Sequence, residues 1–191
     1  ESTNDGWKIN WQACDSACEQ ATMDAAPLLI FGPAFSFLHW LDSTDTRHNL
    51  PEQSRIMETG GYKGRSRELP KNEFYMLLSE RLGVPESHII CEYGMCELGS
   101  QAYDRETGTN NERVFRFPHW AQPIIINPET GNTCGEGEIG LLRIIDLVNV
   151  YSSAAIQTQD LARSVSDGFE LLGRDRNAAP RGCSLNLLQQ P

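Results

Sequence analysis

The stretch richest in reactive side chains is Cys91-Glu92-Tyr93-Gly94-Met95-Cys96-Glu97-Leu98-Gly99-Ser100-Gln101. Tyr93 offers a flat ring to a base or another planar group, Gly94 permits close backbone approach, and Glu97 offers an oxygen ligand to a hard cation such as Mg²⁺. The apolar run ahead of it, Val84 to Ile90 with Pro85 inside, reads as a buried strand that delivers these residues into a tight turn. Turns at the carboxyl ends of strands are where α/β proteins place ligands, because backbone amides and short side chains converge there. The same residues also suit a plain strand-to-helix turn or hairpin with an incidental aromatic. A glycine pair, Gly60-Gly61, follows the predicted strand Ser54–Thr59 and suits close approach to a ligand or any tight turn. Lys63, Arg65, Arg67 and Lys71 form a local basic cluster that either faces phosphates or pairs with Glu68, Glu73 and Glu80 on a solvated surface. On residue type alone, Asp160 is a loop acid with a capping role, and Cys183 is either a nucleophile or a free thiol in a tail.

Tyr93-Gly94-Met95-Cys96-Glu97 resembles the Tyr-Gly-x-Thr/Ser-Glu signature of adenylate-forming enzymes, which make an acyl-AMP from a carboxylic acid and ATP. Together with Glu58-Thr59-Gly60-Gly61-Tyr62-Lys63-Gly64-Arg65 and Leu98, it resembles the acyl-protein synthetase (LuxE) branch, and the likeness runs from about Pro27 to Leu188. The resemblance implies ATP and Mg²⁺ as cofactors and a fatty acid as substrate. It implies that Gly60 and Gly61 contact adenine, that Tyr93 stacks on it, and that Gly94, Met95 and Cys96 complete the nucleotide turn. Glu97 would hold Mg²⁺. Asp160, in Thr158-Gln159-Asp160, stands where the family's Thr-Gly-Asp aspartate accepts hydrogen bonds from the ribose hydroxyls, and Arg174, in Gly173-Arg174, would reach the nucleotide. Cys183 stands where the branch carries the acyl group as a thioester, beside Arg181, before transfer to an acyl reductase or other acceptor. Two positions depart from the pattern. Cys96 replaces the hydroxyl residue expected at the α-phosphate, and residues 1–26 hold no Gly/Ser/Thr-rich phosphate loop. The alternatives are a ligase forming acyl-CoA or an amide, of the phenylacetate-CoA ligase type, and a non-catalytic module that binds nucleotide or acyl group.

Composition sets the outer limits. With 191 residues, 39% hydrophobic and 22% charged, the chain has ordinary globular composition, enough for one well-buried domain and short for two. A net charge of −10 argues against a general nucleic-acid binder, which carries a basic excess. No apolar run reaches the ~18 residues that a membrane span needs. Leu28 to Leu41 is the most hydrophobic segment, but Pro33 and His39 interrupt it and no basic leader precedes it. The six cysteines, at 14, 18, 91, 96, 134 and 183, are scattered, and Cys14 and Cys18 read as packing on one helix face rather than as a metal site. Free thiols without an export signal point to the cytoplasm. Because the sequence opens on Glu1, it is expected to start inside a longer protein, as a single adenylating domain over 1–191 without its phosphate-loop half.

The elements that must position these residues follow from periodicity. Trp7, Trp11, Cys14 and Cys18 predict an amphipathic helix before Pro27. Pro27–Phe31 reads as a strand and Ala34–Leu41 as a helix; the resemblance puts this helix beside the acyl pocket, with His39 a weak site candidate. Asn72–Leu82 predicts a helix with Phe74, Leu77, Leu78 and Leu82 on one stripe, closed by Gly83. Val114–Phe117 alternates as a strand, Pro118–Pro123 breaks it, and Ile124–Ile126 resumes. A hairpin tip over Asn127–Gly135 then leads into a strong strand ending at Val148. The expected fold is α/β: a mixed sheet flanked by helices with a small β-rich C-terminal portion, of the adenylate-forming large-domain type and incomplete at its N-terminus.

Overall fold

A computed structural model describes residues 2–3, 6–7, 9–62, 66–109 and 112–175. These form two compact units, one containing the described residues up to Cys91 with 106–109, the other 92–105 and 112–175.

The first unit is α/β. A small hairpin, β1 (Ser2–Thr3) and β2 (Gly6–Trp7), precedes helix α1 (Trp11–Met23). Trp7 therefore lies outside the helix predicted to include it: Asn10 caps α1 by accepting from the Ala13 amide at 3.0 Å, which fixes the start after Trp7. Cys18 faces the core, where burial first and then Asp15, Cys14 and Glu19 push its thiol up to about 12. Strand β3 (Leu29–Pro33) runs parallel to β4 (Arg55–Thr59), with helix α2 (Ala34–Ser43) in the crossover. Helix α3 (Lys71–Leu82) buries Phe74, Leu78 and Leu82 at a spacing of four residues, and Gly83 ends it in the left-handed region at φ 70°. A 3₁₀ turn at Glu86–His88 occupies part of the run expected to be strand, so β5 spans Ile89–Tyr93. The core joins Phe37, Leu38, Ile56, Phe74, Leu78, Leu82 and Ile89, all 4% exposed or less.

The second unit is β-rich. The end of β5 pairs antiparallel with β6 (Ala102–Tyr103). An antiparallel sheet follows in the order β10-β9-β8-β7, built from β7 (Ala121–Ile126), β8 (Ile139–Asp146), β9 (Ala155–Val165) and β10 (Gly168–Arg174). Pro123, expected to break the chain, lies inside β7 opposite Ile144; β7 is an edge strand, where a missing N–H leaves no ladder bond unmade. Val114–Phe117 is not a strand but joins its neighbours through two isolated bridges, Tyr103 to Arg116 and Phe115 to Phe169. Asp160, expected in a loop, sits within β9. Among the described residues, no helix is long and apolar enough to cross a membrane.

Gly168 shows how closely this unit is built. A Cβ there would lie 2.4 Å from the Phe115 carbonyl oxygen, in the bridge that holds Phe115 to Phe169. Gly168→Ala must push that backbone away, and it is expected to destabilise the protein by about 1–3 kcal/mol, as overpacking does. Urea denaturation checks this, and an unchanged midpoint would show that the bridge gives way freely.

Candidate functional site

Tyr93 stands at the last residue of β5, with its ring 8% exposed. Phe115 and Phe117 meet it edge-on at 6.1 and 6.3 Å between centroids, and Phe169 does so at 5.7 Å. The platform expected for a base is thus packed against three phenylalanines, and the polar end of the side chain takes a specific partner. The Tyr93 hydroxyl donates to Asp160 Oδ2 at 2.7 Å. On the other side of the same carboxylate, Arg174 Nε lies 3.3 Å from Oδ1. Strand register accounts for this second contact, since Asp160 on β9 lies directly opposite Arg174 on β10. The structure therefore brings Tyr93, Asp160 and Arg174 into one line, a hydrogen bond followed by an ion pair. The acid is one-sixth exposed and the guanidinium about one-third, so the line is anchored at Tyr93 and open at Arg174.

Gly94, Met95, Cys96 and Glu97 continue from Tyr93 into a turn closed by the Leu98 amide donating to the Met95 carbonyl at 3.0 Å. Cys96 and Glu97 are exposed at its tip. The turn is held from behind by a residue that sequence reasoning passed over. Asp146, the last residue of β8, is fully buried and accepts from the Gly99 amide at 3.0 Å, the Ser100 hydroxyl at 2.9 Å and the Val148 amide at 3.1 Å. Asn149 Nδ2 donates to the Glu97 carbonyl at 2.8 Å. The signal was present: in β8, Gly140, Leu142, Ile144 and Asp146 share the buried parity, and an acid on that face must be satisfied from within.

Gly60 and Gly61 belong to the other unit. Gly60 takes φ 67°, and Gly61 has open space where a side chain would stand. Beside them Glu58 is fully buried; its Oε1 accepts from Tyr75 at 2.8 Å and from the Lys71 ammonium, while Oε2 has no hydrogen-bond partner. Two described members of the basic cluster are paired, though not with the acids expected: Lys71 takes Glu58 and Arg67 takes Asp42 at 2.9 Å, while Glu80 goes to Arg47. His39 is exposed and stacks on Trp11 at 6.4 Å. Lys63, Arg65, Arg181 and Cys183 lie outside the described residues.

A family model for acyl-protein synthetase, LuxE, matches residues 12–190, and the chain belongs to that family. It is 22% identical over 202 residues to the long-chain-fatty-acid–luciferin-component ligase of Aliivibrio fischeri, across 98% of this chain and 52% of that protein. The chain thus spans about half the length of this relative. Among solved structures, it resembles ATP-bound MatB from Rhodopseudomonas palustris with a TM-score of 0.61 and 15% identity, over 87% of this chain and 33% of that one. It also resembles an anthranilate CoA ligase in complex with anthranoyl-AMP, with a TM-score of 0.59 and 16% identity, over 88% and 34% of the two chains. A long-chain-fatty-acid–CoA ligase of Archaeoglobus fulgidus gives a TM-score of 0.56 at 14% identity, over 87% and 37%. The likeness is one of fold, and the fold is that of adenylate-forming ligases.

Burial, then the charge of Asp160 and the hydrogen bond to it, hold the Tyr93 hydroxyl above the usual tyrosine range. Folding therefore favours the protonated form. That stabilisation is present in full below about pH 10, the ordinary tyrosine value, and is lost as pH rises from there through the folded-state value. Tyr93→Phe keeps the ring and removes the donor; it is expected to cost about 1.5–3 kcal/mol at neutral pH, the range for a hydrogen bond to a charged group. Its stability should also fall less steeply above about pH 10 than that of the wild type. Urea titrations across pH 7 to 11 read both effects, and parallel curves would remove Tyr93 as the source.

Proposed function

We propose that the chain carries the nucleotide-holding part of an enzyme that activates a long-chain fatty acid with ATP and passes the acyl group to Cys183. The observation that carries this reading is the line from Tyr93 through Asp160 to Arg174. A carboxylate locked at one end by a buried phenol can direct acceptor capacity toward vicinal hydroxyls, as a ribose presents them. Arg174, partly exposed, supplies a planar donor fork beside it. Gly94, Met95 and Cys96 would face the phosphates in this reading. Tyr93 serves the site by fixing Asp160.

Among the described residues, no three His, Cys, Asp or Glu side chains gather as a metal cage. The lone exposed Glu97 fits a cation of the Mg²⁺ kind, which keeps water and phosphate oxygens as its other ligands and needs only one or two carboxylates. Bound there with the nucleotide, Mg²⁺ would offset phosphate charge. In the first step the fatty-acid carboxylate attacks the α-phosphorus of ATP, the bond to the β-phosphate oxygen breaks, and pyrophosphate leaves. In the second, the Cys183 thiolate attacks the acyl carbon, AMP leaves, and the thiol proton passes to solvent. The thioester then yields the acyl group to an acceptor, for which a reductase is the proposed partner. The cytoplasm is the proposed setting, where thiols stay reduced. The stretch 1–191 serves as one adenylating body in this reading.

The test uses a non-hydrolysable acyl-AMP analogue and labelled fatty acid. Asp160→Asn keeps the shape and removes the charge; it is expected to weaken binding of the analogue by roughly tenfold to a hundredfold, one charged hydrogen bond's worth, in calorimetry. Cys183→Ala should bind the analogue like wild type yet form no labelled acyl-enzyme. Acyl-enzyme that persists in Cys183→Ala would move the reading to transfer onto coenzyme A or an amine. Wild-type protein that binds neither ATP nor the analogue would end it.

A further inference from the structure

The turn that carries Glu97 is fastened to the end of β8 and the loop after it. We infer that Asp146 and Asn149 form a positioning pair that sets the Glu97 carboxylate for the cation accompanying the nucleotide; this rests on the reading of Glu97 given above.

Three hydrogen bonds tie the turn to the end of β8 and the loop after it. Asp146 Oδ2 accepts from the Gly99 amide at 3.0 Å, and Oδ1 accepts from Ser100 Oγ at 2.9 Å. Val148 N, at 3.1 Å from Oδ1, locks the loop onto the same carboxylate. Asn149 Nδ2 reaches the Glu97 carbonyl at 2.8 Å and the Ser153 carbonyl at 3.2 Å, bridging the turn to the far end of its own loop. Trp120 Nε1 adds a donor to Ser100 Oγ at 2.9 Å. Packing closes the same joint: a Cβ on Gly99 would lie 2.8 Å from Val148 Cγ1 and 3.1 Å from Asn149 Oδ1, so the Gly99 backbone packs directly against those two side chains. A buried carboxylate that collects amides from two separate loops fixes their relative position, because releasing any donor leaves charge unsatisfied in the interior. The Glu97 side chain has no hydrogen bond or ion pair of its own among the described residues, so its carboxylate is aimed only by the backbone these bonds hold. Asp146 and Asn149 touch no reacting atom; they act through Glu97.

The experiment measures nucleotide binding to the full chain by calorimetry with and without Mg²⁺, together with amide hydrogen exchange over residues 96–100, in wild type, Asn149→Ala, Ser100→Ala and Glu97→Gln. Asn149→Ala is the principal variant because Asn149 lies in an exposed loop and its loss leaves the core intact. The expected result is faster exchange at 96–100, an unchanged thermal midpoint, and about a tenfold loss of affinity in Mg²⁺, the loss of one ordinary hydrogen bond. Affinity without Mg²⁺ should not move, and Glu97→Gln should show the same split. If Asn149→Ala and Ser100→Ala loosen the turn but keep the Mg²⁺-dependent gain of wild type, the positioning role is wrong and the reading of Glu97 stands. If wild type gains nothing from Mg²⁺, or Glu97→Gln keeps the gain, the reading of Glu97 falls and the positioning role falls with it. Equal losses with and without Mg²⁺ would assign Asn149 a purely structural part.

Discussion

The second unit turns on one shared carboxylate. Asp160 binds Tyr93 from the end of β5 on one side and Arg174 from β10 on the other, so one carboxylate links the two strand ends. Its energetics are asymmetric. The bond to Tyr93 is sheltered by the ring's burial against Phe115, Phe117 and Phe169, and bonds to charge in low-dielectric surroundings are strong. The pair with Arg174 is longer and partly solvated, and pairs of that kind contribute little stability. Stability therefore resides at the phenol, while the guanidinium, which also reaches Gln159 Oε1 at 3.4 Å, is the more exposed end. That division suits a site better than two equal bonds would.

The same logic recurs at two acids buried on strands, Glu58 and Asp146. Glu58 in β4 and Asp146 in β8 sit on the buried parity of their strands, among residues such as Ile56 and Ile144. Each stands at or next to the carboxyl end of a strand, where the chain leaves the sheet and free amides or side-chain donors are available. Asp146 spends its capacity on three donors from two loops. Glu58 concentrates Lys71 and Tyr75 on one oxygen and leaves the other unmatched. The first arrangement is a finished structural joint. The second is incomplete, and a water molecule bound at Oε2 is the simplest way for a buried carboxylate to be satisfied.

Much of this was legible in the residues. The stripe of α3 and its left-handed Gly83, the crossover from β3 through α2 to β4, and the hairpin tip after Ile126 all follow from local chemistry that needs no partner. The aromatic-glycine turn could be placed for the same reason. What escaped depends on partners distant in sequence. Pro123 looked like a break because its tolerance comes from β7 being an edge, which only the sheet order reveals. Asp160 looked like a loop acid because Thr158-Gln159-Asp160 is polar, yet its strand is held by pairing on both sides, with β8 and with β10. Val114–Phe117 has strand alternation, but its aromatics serve to enclose Tyr93 and it pairs only at isolated points. Trp7 matched a helical period by coincidence, and one capping side chain at Asn10 outweighed it.

The proposed function sets an acidic protein a difficulty, since a net charge of −10 repels a polyphosphate at long range. Screening confines that repulsion to about 8 Å at physiological salt, so the decision falls to local groups. Several of the described arginines are already paired with acids: Arg47 with Glu80, Arg67 with Asp42, Arg113 with Asp104, Arg116 with Asp167 and Arg163 with Glu170. These pairs neutralise charge where it stands. The acid facing Arg174 is also held by the buried Tyr93, so Asp160 keeps a sheltered hydrogen-bond donor when the guanidinium turns toward another anion or hydroxyl. The cost of parting an ion pair is mainly that of stranding a buried partner, and here the partner is not stranded. A neutral phenol placed behind an acid thus lets the arginine in front of it change partners, which a simple ion pair of equal length would resist.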